Sequence, residues 1–243
     1  MTVIDRIWSN DHLVELEREL WLQVMAFQHR VDPSLVSSAQ IRSSLKAAPI
    51  IRLANIRDRE MVTKHDLKAR LDEFCELSGH QRIHLGMTSA DVVENTYLIR
   101  MRRSVLALGL QHTHPSIDQW LIRQQFRGIR GPVGSDEDQM NLLGSAKLVE
   151  ALNRAVAKHF GFTTVVNAVA QCMPRSFDME LATLLAAVIP LDHPADRAVM
   201  NGLMTMVAAQ DFWFEGDVST SVVRRYAWPM IFRTIEQALK GEQ

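Results

Sequence analysis

Apolar residues recur at spacings of three and four along most of the chain, the pattern of helices that each bury one stripe. Leu13, Leu16, Leu20, Val24 and Phe27 form the first stripe, behind Ser9, a residue suited to cap it. A second stripe, Leu67, Leu71, Phe74 and Leu77, follows Thr63 and Asp66 at capping-box spacing and meets Gly79, the expected stop. The clearest start is the third. Thr88 and Asp91 repeat the T-x-x-D spacing, and Val92, Thr96, Ile99, Arg103 and Leu106 follow until Gly109. Further helices are predicted over 116–126, 145–159 (stopped by Gly161), 177–188, 195–212 and 219–240. Strand patterns are sparse. The best is FTTVVNAV (162–169), which also reads as an extended loop, and RGIRGPVG (127–134) reads as a loop between helices. With no internal repeat or low-complexity tract, the pattern predicts an all-α helical bundle with functional loops at helix ends.

Composition narrows the class. At 243 residues, 47% apolar and 23% charged, the chain can bury a core as one large domain or two small ones. A net charge of -1 supplies no overall basic field for nucleic acid. Only Cys75 and Cys172 are present, without CxxC or zinc spacing, so neither a disulfide framework nor a structural metal is expected, and a reducing, cytoplasmic setting is. The N-terminus lacks the apolar core of a signal peptide, and the longest apolar run, LLAAVIP (184–190), is too short to span a bilayer, so no membrane association is expected. Trp8, Trp21, Trp120 and Trp228 read as packing residues, Met200, Met204 and Met206 as core filling, and Cys75 as inert.

Three places combine helix starts with chemistry-bearing side chains. Lys64-His65-Asp66 puts a cation, an imidazole and a carboxylate in a first turn; a capping cluster with a solvated lysine is the plainer alternative. In His84-Leu-Gly-Met-Thr88-Ser89, a glycine precedes two hydroxyls at a helix N-terminus, where free N–H groups and the dipole favour an anion; plain capping again competes. In 216–225, three hydroxyls precede Arg224 and Arg225. Adjacent helical arginines point in different directions, so one can grip a phosphate or carboxylate while the other makes a structural ion pair. Asp136-Glu137-Asp138 either repels an anionic ligand or caps the next helix.

Five segments, in order, resemble adenylosuccinate lyase of the fumarase/aspartase superfamily: TKHDLKARLDEF (63–74), IHLGMTSADVVENTYLIR (83–100), FRGIRGPVGSDEDQMNLLG (126–144), QCMPRSFDME (171–180) and WFEGDVSTSVVRR (213–225). The resemblance implies a shortened helical bundle of the fumarase/aspartase type, with an N-terminal helical domain over 1–87 and a truncated central bundle over 88–243. It implies β-elimination of fumarate from adenylosuccinate and the related succinylated imidazole carboxamide ribotide of purine biosynthesis. No cofactor is implied, and the partners are an anionic nucleotide substrate and further copies of the chain, a homo-oligomer that is a tetramer in the family. Lys64, His65 and Asp66 match the basic-His-Asp substrate motif, and His65 also stands as a catalytic candidate. Thr88 and Ser89 match the Thr-Ser pair that holds the succinyl end. Gln171 matches the glutamine before Pro-Arg-Ser, Arg197 the arginine after the mobile loop, and Ser221 and Arg225 the phosphate-binding run. His114 is the candidate acid, with His112 competing.

The departures are as specific. IPLDHPAD (189–196) stands where the family's mobile loop carries the serine assigned to proton abstraction, and it contains none; His193 is the substitute base on offer. The upstream Arg-Tyr pair is reduced to Arg6, the Gln-Pro-Ala after the histidine is missing, and the C-terminal helical domain has no counterpart. A working lyase, a non-catalytic relative that binds an anionic nucleotide, and a helical interaction protein therefore all stand at this point.

Overall fold

The computed structural model describes residues 1–166, 176–188, 194–208 and 218–241. Its first half runs α1 (Val3–Ile7), α2 (Asn10–Val31), α3 (Ser38–Ala47), α4 (Leu53–Thr63), α5 (Asp66–Ser78) and α6 (Ser89–Ala107). Then come α7 (Pro115–Arg123), β1 (Gln125–Arg127), α8 (Gln139–Leu143), α9 (Ala146–His159) and β2 (Thr164–Val166). The helices α10 (Ser176–Val188), α11 (Pro194–Ala208) and α12 (Val218–Gly241) complete the described residues. The fold is all-α, as the apolar periodicity predicts. The two strands are three residues each and pair in parallel, Gln125 opposite Thr164.

Two compact units interleave along the chain. One comprises Met1–Trp8, Leu98–Gln124 and Ala170–Gln243, the other Ser9–Tyr97 and Gln125–Val169. The division at 87/88 expected from the family resemblance follows chain order instead. In the second unit, Leu16, Leu20, Trp21 and Val24 of α2 are fully buried, and Trp21 stacks on Phe74 of α5 with centroids 6.0 Å apart. Arg18, on the same helix, is 1% exposed and donates to the carbonyls of Ala47, Ala48 and Ile50 while pairing with Glu73. It thereby satisfies carbonyls that the end of α3 leaves without helical partners. In the first unit, Trp8, Trp228 and Phe232 form one aromatic cluster, and Trp120 is buried too.

Most predicted helix ends coincide with observed ones. Ser9 caps α2, Gly79 ends α5 at φ 73°, and α9 ends before Gly161. Thr63 does not start a helix. It is the last residue of α4, and α5 is capped by His65. Segment 116–126 is helical only to Arg123, because the chain turns there into β1. Of 162–169, residues 164–166 are strand and 167–169 lie outside the described residues; so do 209–212 of the predicted 195–212 helix. Met200 is buried as core filling predicts, but Met206 is 38% exposed. Helices α1, α3, α4 and α8 are not among those the apolar pattern predicts; α1 and α8 are five residues each, and α4 has a single buried residue, Ile56, and so carries little stripe to detect.

Candidate functional site

The second unit brings two of the predicted motifs together. Lys64 ends α4 in the left-handed conformation (φ 54°, ψ 23°), and His65 returns at once to extended backbone to cap α5. The His65 Nδ1 accepts the Lys68 N–H at 3.3 Å, so a neutral ring carries its proton on Nε2. That Nε2 lies 3.3 Å from the Ser89 hydroxyl, 24 residues away at the first turn of α6. Two helix N-termini therefore meet across one hydrogen bond, with Lys64 and Lys68 exposed beside them. Aligned amides and cations at such a point favour a carboxylate or phosphate. Thr88 and Asp91 form the predicted box: the Thr88 N–H donates to Asp91 at 2.9 Å, and the Asp91 N–H to the Thr88 hydroxyl at 3.4 Å. Thr88 is thus used for the cap, while Ser89 is turned to His65.

Buried polar groups hold this arrangement. Asp91, 1% exposed, pairs with Arg127 at 3.3 Å and accepts the Gly131 N–H at 3.1 Å; burial pushes its carboxyl above the ordinary range despite those donors. Asn95 reads both backbone groups of Arg127, donating to its carbonyl at 2.9 Å and accepting its N–H at 2.8 Å. Gln139 donates to the carbonyls of Leu85 and Gly86, and Gln28 donates to Leu85 and to the Gln139 carbonyl oxygen. A Cβ on Gly131, at φ 74°, would stand 2.5 Å from the Gly86 carbonyl oxygen, so the 127–134 loop packs directly on the loop leading to Thr88. His84 accepts the Trp21 indole N–H at 2.9 Å; burial, aided by Lys68 and His65, pulls its pKa down to about 4. Asp66 accepts the Leu67 N–H and an Arg70 guanidinium N–H, and Arg70 is held in turn by buried Glu17 at 2.6 Å. Burial alone would weaken the charge on Arg70, but Glu17 and Asp66 more than offset it.

The remaining candidates belong to the first unit. Arg224 is the structural member of its pair, fully buried and bound to both oxygens of Asp178 at 2.5 and 2.7 Å, while Arg225 is exposed. Arg197 is exposed on α11. His114 caps α7, its Nδ1 accepting the Ser116 N–H at 3.2 Å, which places the proton of a neutral ring on Nε2. His112 sits at φ 67° with Nδ1 3.3 Å from Asp118, an arrangement that puts the proton on Nδ1 instead. Gln171, His193 and Cys172 lie outside the described residues, as does the side chain of Ser221 on α12. Asp138 caps α8 through Asn141, which resolves the acidic run in favour of capping. Burial raises the Cys75 thiol to about 11, consistent with an inert residue. Among the described residues, no three His, Cys, Asp or Glu side chains could hold a metal ion, and no helix is long and apolar enough to cross a membrane.

The supporting residues Glu17, Gln28, Asp118 and Gln139 are not among the candidate site residues visible in the sequence. Glu17 left a readable sign, because it lies four residues from both Leu13 and Trp21, inside the apolar stripe of α2.

No protein-family profile matches the chain. It is 23% identical over 106 residues to the adenylosuccinate lyase of Archaeoglobus fulgidus, covering 44% of this chain and 23% of that protein. It is 23% identical over 227 residues to the adenylosuccinate lyase of Saccharomyces cerevisiae, covering 72% of this chain and 47% of that one. The chain thus spans less than half the length of these relatives. Its fold matches the crystal structure of a fumarate lyase from Mesorhizobium sp. BNC1 with a TM-score of 0.68 at 13% identity, covering 98% of this chain and 72% of the other. These likenesses support the fumarase/aspartase superfamily and a lyase ancestry. At such identities they leave the substrate open.

Proposed function

We propose that this chain is an adenylosuccinate lyase-type enzyme that releases fumarate by C–N β-elimination from adenylosuccinate and the related succinylated ribotide of purine biosynthesis. In that reaction a base removes a proton from the carbon beside a carboxylate, the C–N bond breaks, and an acid returns a proton to the departing amine. The observation that carries the reading is the His65–Ser89 junction of two helix N-termini flanked by Lys64. It suits a succinyl carboxylate, with Lys64, His65, Asp66, Thr88 and Ser89 surrounding it. Arg225, with Ser221, is assigned to the phosphate because Arg224 is committed to Asp178; Arg197 and Gln171 are assigned to the substrate by resemblance. His114, as an Nε2–H donor, fits the acid that protonates the leaving amine. The proposal extends to a shortened bundle, a homo-oligomer and a cytoplasmic setting, with no cofactor.

The test is fumarate release from adenylosuccinate by the purified chain, followed by absorbance, beside His65→Ala and His114→Ala. Turnover abolished in both variants supports the assignment. A folded parent without turnover refutes it. One observation favours a second reading: 189–196 contains no serine to take the proton. A relative lacking that base would bind the anionic nucleotide without eliminating fumarate, since losing a general base costs about 10²–10⁴ in rate. Calorimetric binding of adenylosuccinate without turnover would identify it.

A further inference from the structure

We infer that the buried Glu17–Arg70 pair selects the tautomer of His65 and so sets the direction of its hydrogen bond to Ser89. The inference deepens the proposed function, and only its consequence for the ligand rests on that reading. Asp66 Oδ1 lies 3.7 Å from His65 Nδ1, close enough that a small rotation would let the carboxylate accept a proton from that nitrogen. A carboxylate hydrogen-bonded to Nδ1 is the usual device for fixing a histidine as Nδ1–H with a basic Nε2. Here the device is withheld. Asp66 Oδ1, the oxygen nearer His65, accepts the Leu67 N–H at 2.7 Å, and Arg70 holds Oδ2 at 3.3 Å and so fixes the rotation of the carboxylate, while Nδ1 faces the Lys68 N–H. Arg70 reaches Asp66 through one arm because Glu17 fixes its Nε at 2.6 Å, a contact between side chains 0% and 9% exposed.

The consequence is directional. With Nδ1 accepting, His65 donates from Nε2, and the Ser89 oxygen receives. The pair is then an assembly of donors for a ligand anion, rather than a base drawing the proton from the serine. Were Asp66 released, Nδ1 would take the proton, Nε2 would become an acceptor, and the Ser89 hydroxyl would turn to donate into it. Arg70 and Glu17 are therefore positioning residues, and neither needs to touch a ligand.

The imidazole itself reports the outcome. Long-range ¹H–¹⁵N NMR, with His65 assigned by comparison with His65→Gln, reads the tautomer about two pH units above the ordinary histidine pKa. The parent is expected as Nε2–H. Arg70→Lys keeps a cation for Glu17 but has no fork to reach Asp66, and should move His65 to mainly Nδ1–H. Adding Asp66→Asn removes the competing carboxylate and should return it to Nε2–H, a rescue that a merely structural role would not give. Should Arg70→Lys fail to fold, the apolar replacement of both partners, E17M/R70M, removes the Arg70 contact that holds the rotation of Asp66 without stranding a buried charge and carries the same expectation. Unchanged His65 shifts in either folded variant, or no rescue by Asp66→Asn, would overturn the inference. Succinate is the ligand probe, and its affinity should fall about tenfold in Arg70→Lys. A parent that neither binds succinate nor releases fumarate sinks the proposed function, while the tautomer read by NMR still decides the role of Glu17 and Arg70.

Discussion

Replacing Lys64 with glycine should make the protein more stable and its candidate site worse. Lys64 ends α4 at φ 54°, ψ 23°, a conformation that costs a residue with a Cβ about 1–2 kcal/mol. Gly79 ends α5 in nearly the same conformation, φ 73° and ψ 22°, so the chain uses glycine where only the turn matters. Against the relief stands the greater freedom of glycine in the unfolded chain, about 0.5–1 kcal/mol. The net gain is about 0.5–1 kcal/mol, a rise in Tm of roughly 1–4 °C for a protein of this size. Lys64→Ala removes the same ammonium and keeps the strained backbone, so its Tm should stay near the parent's. Calorimetry of the three proteins gives stability, and titration with succinate gives affinity. Both variants should bind succinate about tenfold more weakly, the loss of one charge-assisted contact. Two results would contradict this expectation: Lys64→Gly melting no higher than Lys64→Ala, or binding succinate as well as the parent. The first result would mean the backbone is not strained; the second would mean the lysine is not there for an anion.

Four further outcomes follow from the geometry. Arg224→Ala strands the Asp178 carboxylate in a fully buried position, and should cost about 3–5 kcal/mol in urea unfolding, whereas Arg225→Ala, at an exposed position, should cost much less and weaken phosphate binding. Gly131→Ala drives a Cβ into the Gly86 carbonyl at φ 74° and should cost more than about 2 kcal/mol; Gly134→Ala, at φ 87° with open space around it, should cost only the backbone strain of about 1 kcal/mol. His84 is held near pKa 4 when folded and titrates near 6.5 when unfolded, so between those values the unfolded chain binds more protons and stability falls as pH falls. That linkage removes about 2 kcal/mol between pH 7 and pH 5, and the difference should shrink in His84→Gln when urea midpoints are compared. In Cys172→Ser, the remaining Cys75 thiol should resist a disulfide reagent at pH 8 until denaturant is added, because its pKa is raised to about 11 by burial.

The sequence made some of this legible for identifiable reasons. The stripe of α2 and its Ser9 cap are local signals, and the structure repeats them nearly residue for residue. The Thr88–Asp91 box was equally local. The misplaced start at Thr63 shows where locality fails. Threonine is a better cap than histidine by type, yet α4 extends through Thr63 and the tight reversal at Lys64 hands the cap to His65. The His65–Ser89 contact joins residues 24 apart and leaves no periodic trace, so each partner was legible as part of its own helix start while their meeting was not. That Arg224 rather than Arg225 makes the buried ion pair was likewise undecidable in one dimension, since it depends on Asp178 arriving from α10.

The interleaving of the two units also imposes a schedule on synthesis. The unit formed by Ser9–Tyr97 and Gln125–Val169 has all its residues once position 169 has emerged. The other includes α1, which precedes every other described helix in the chain, and α1 docks on α12, which follows them all, through the Arg233–Asp5 pair and the Trp8–Phe232 stack. At about 5–20 residues per second, α1 waits on the order of ten to forty seconds for that partner. During the wait, Ile4, Ile7 and Trp8, all buried in the finished protein, have no native surface from α12 to cover them. A nascent chain stalled before α12 should therefore be a strong client for a ribosome-bound chaperone, with α1 as the segment it holds.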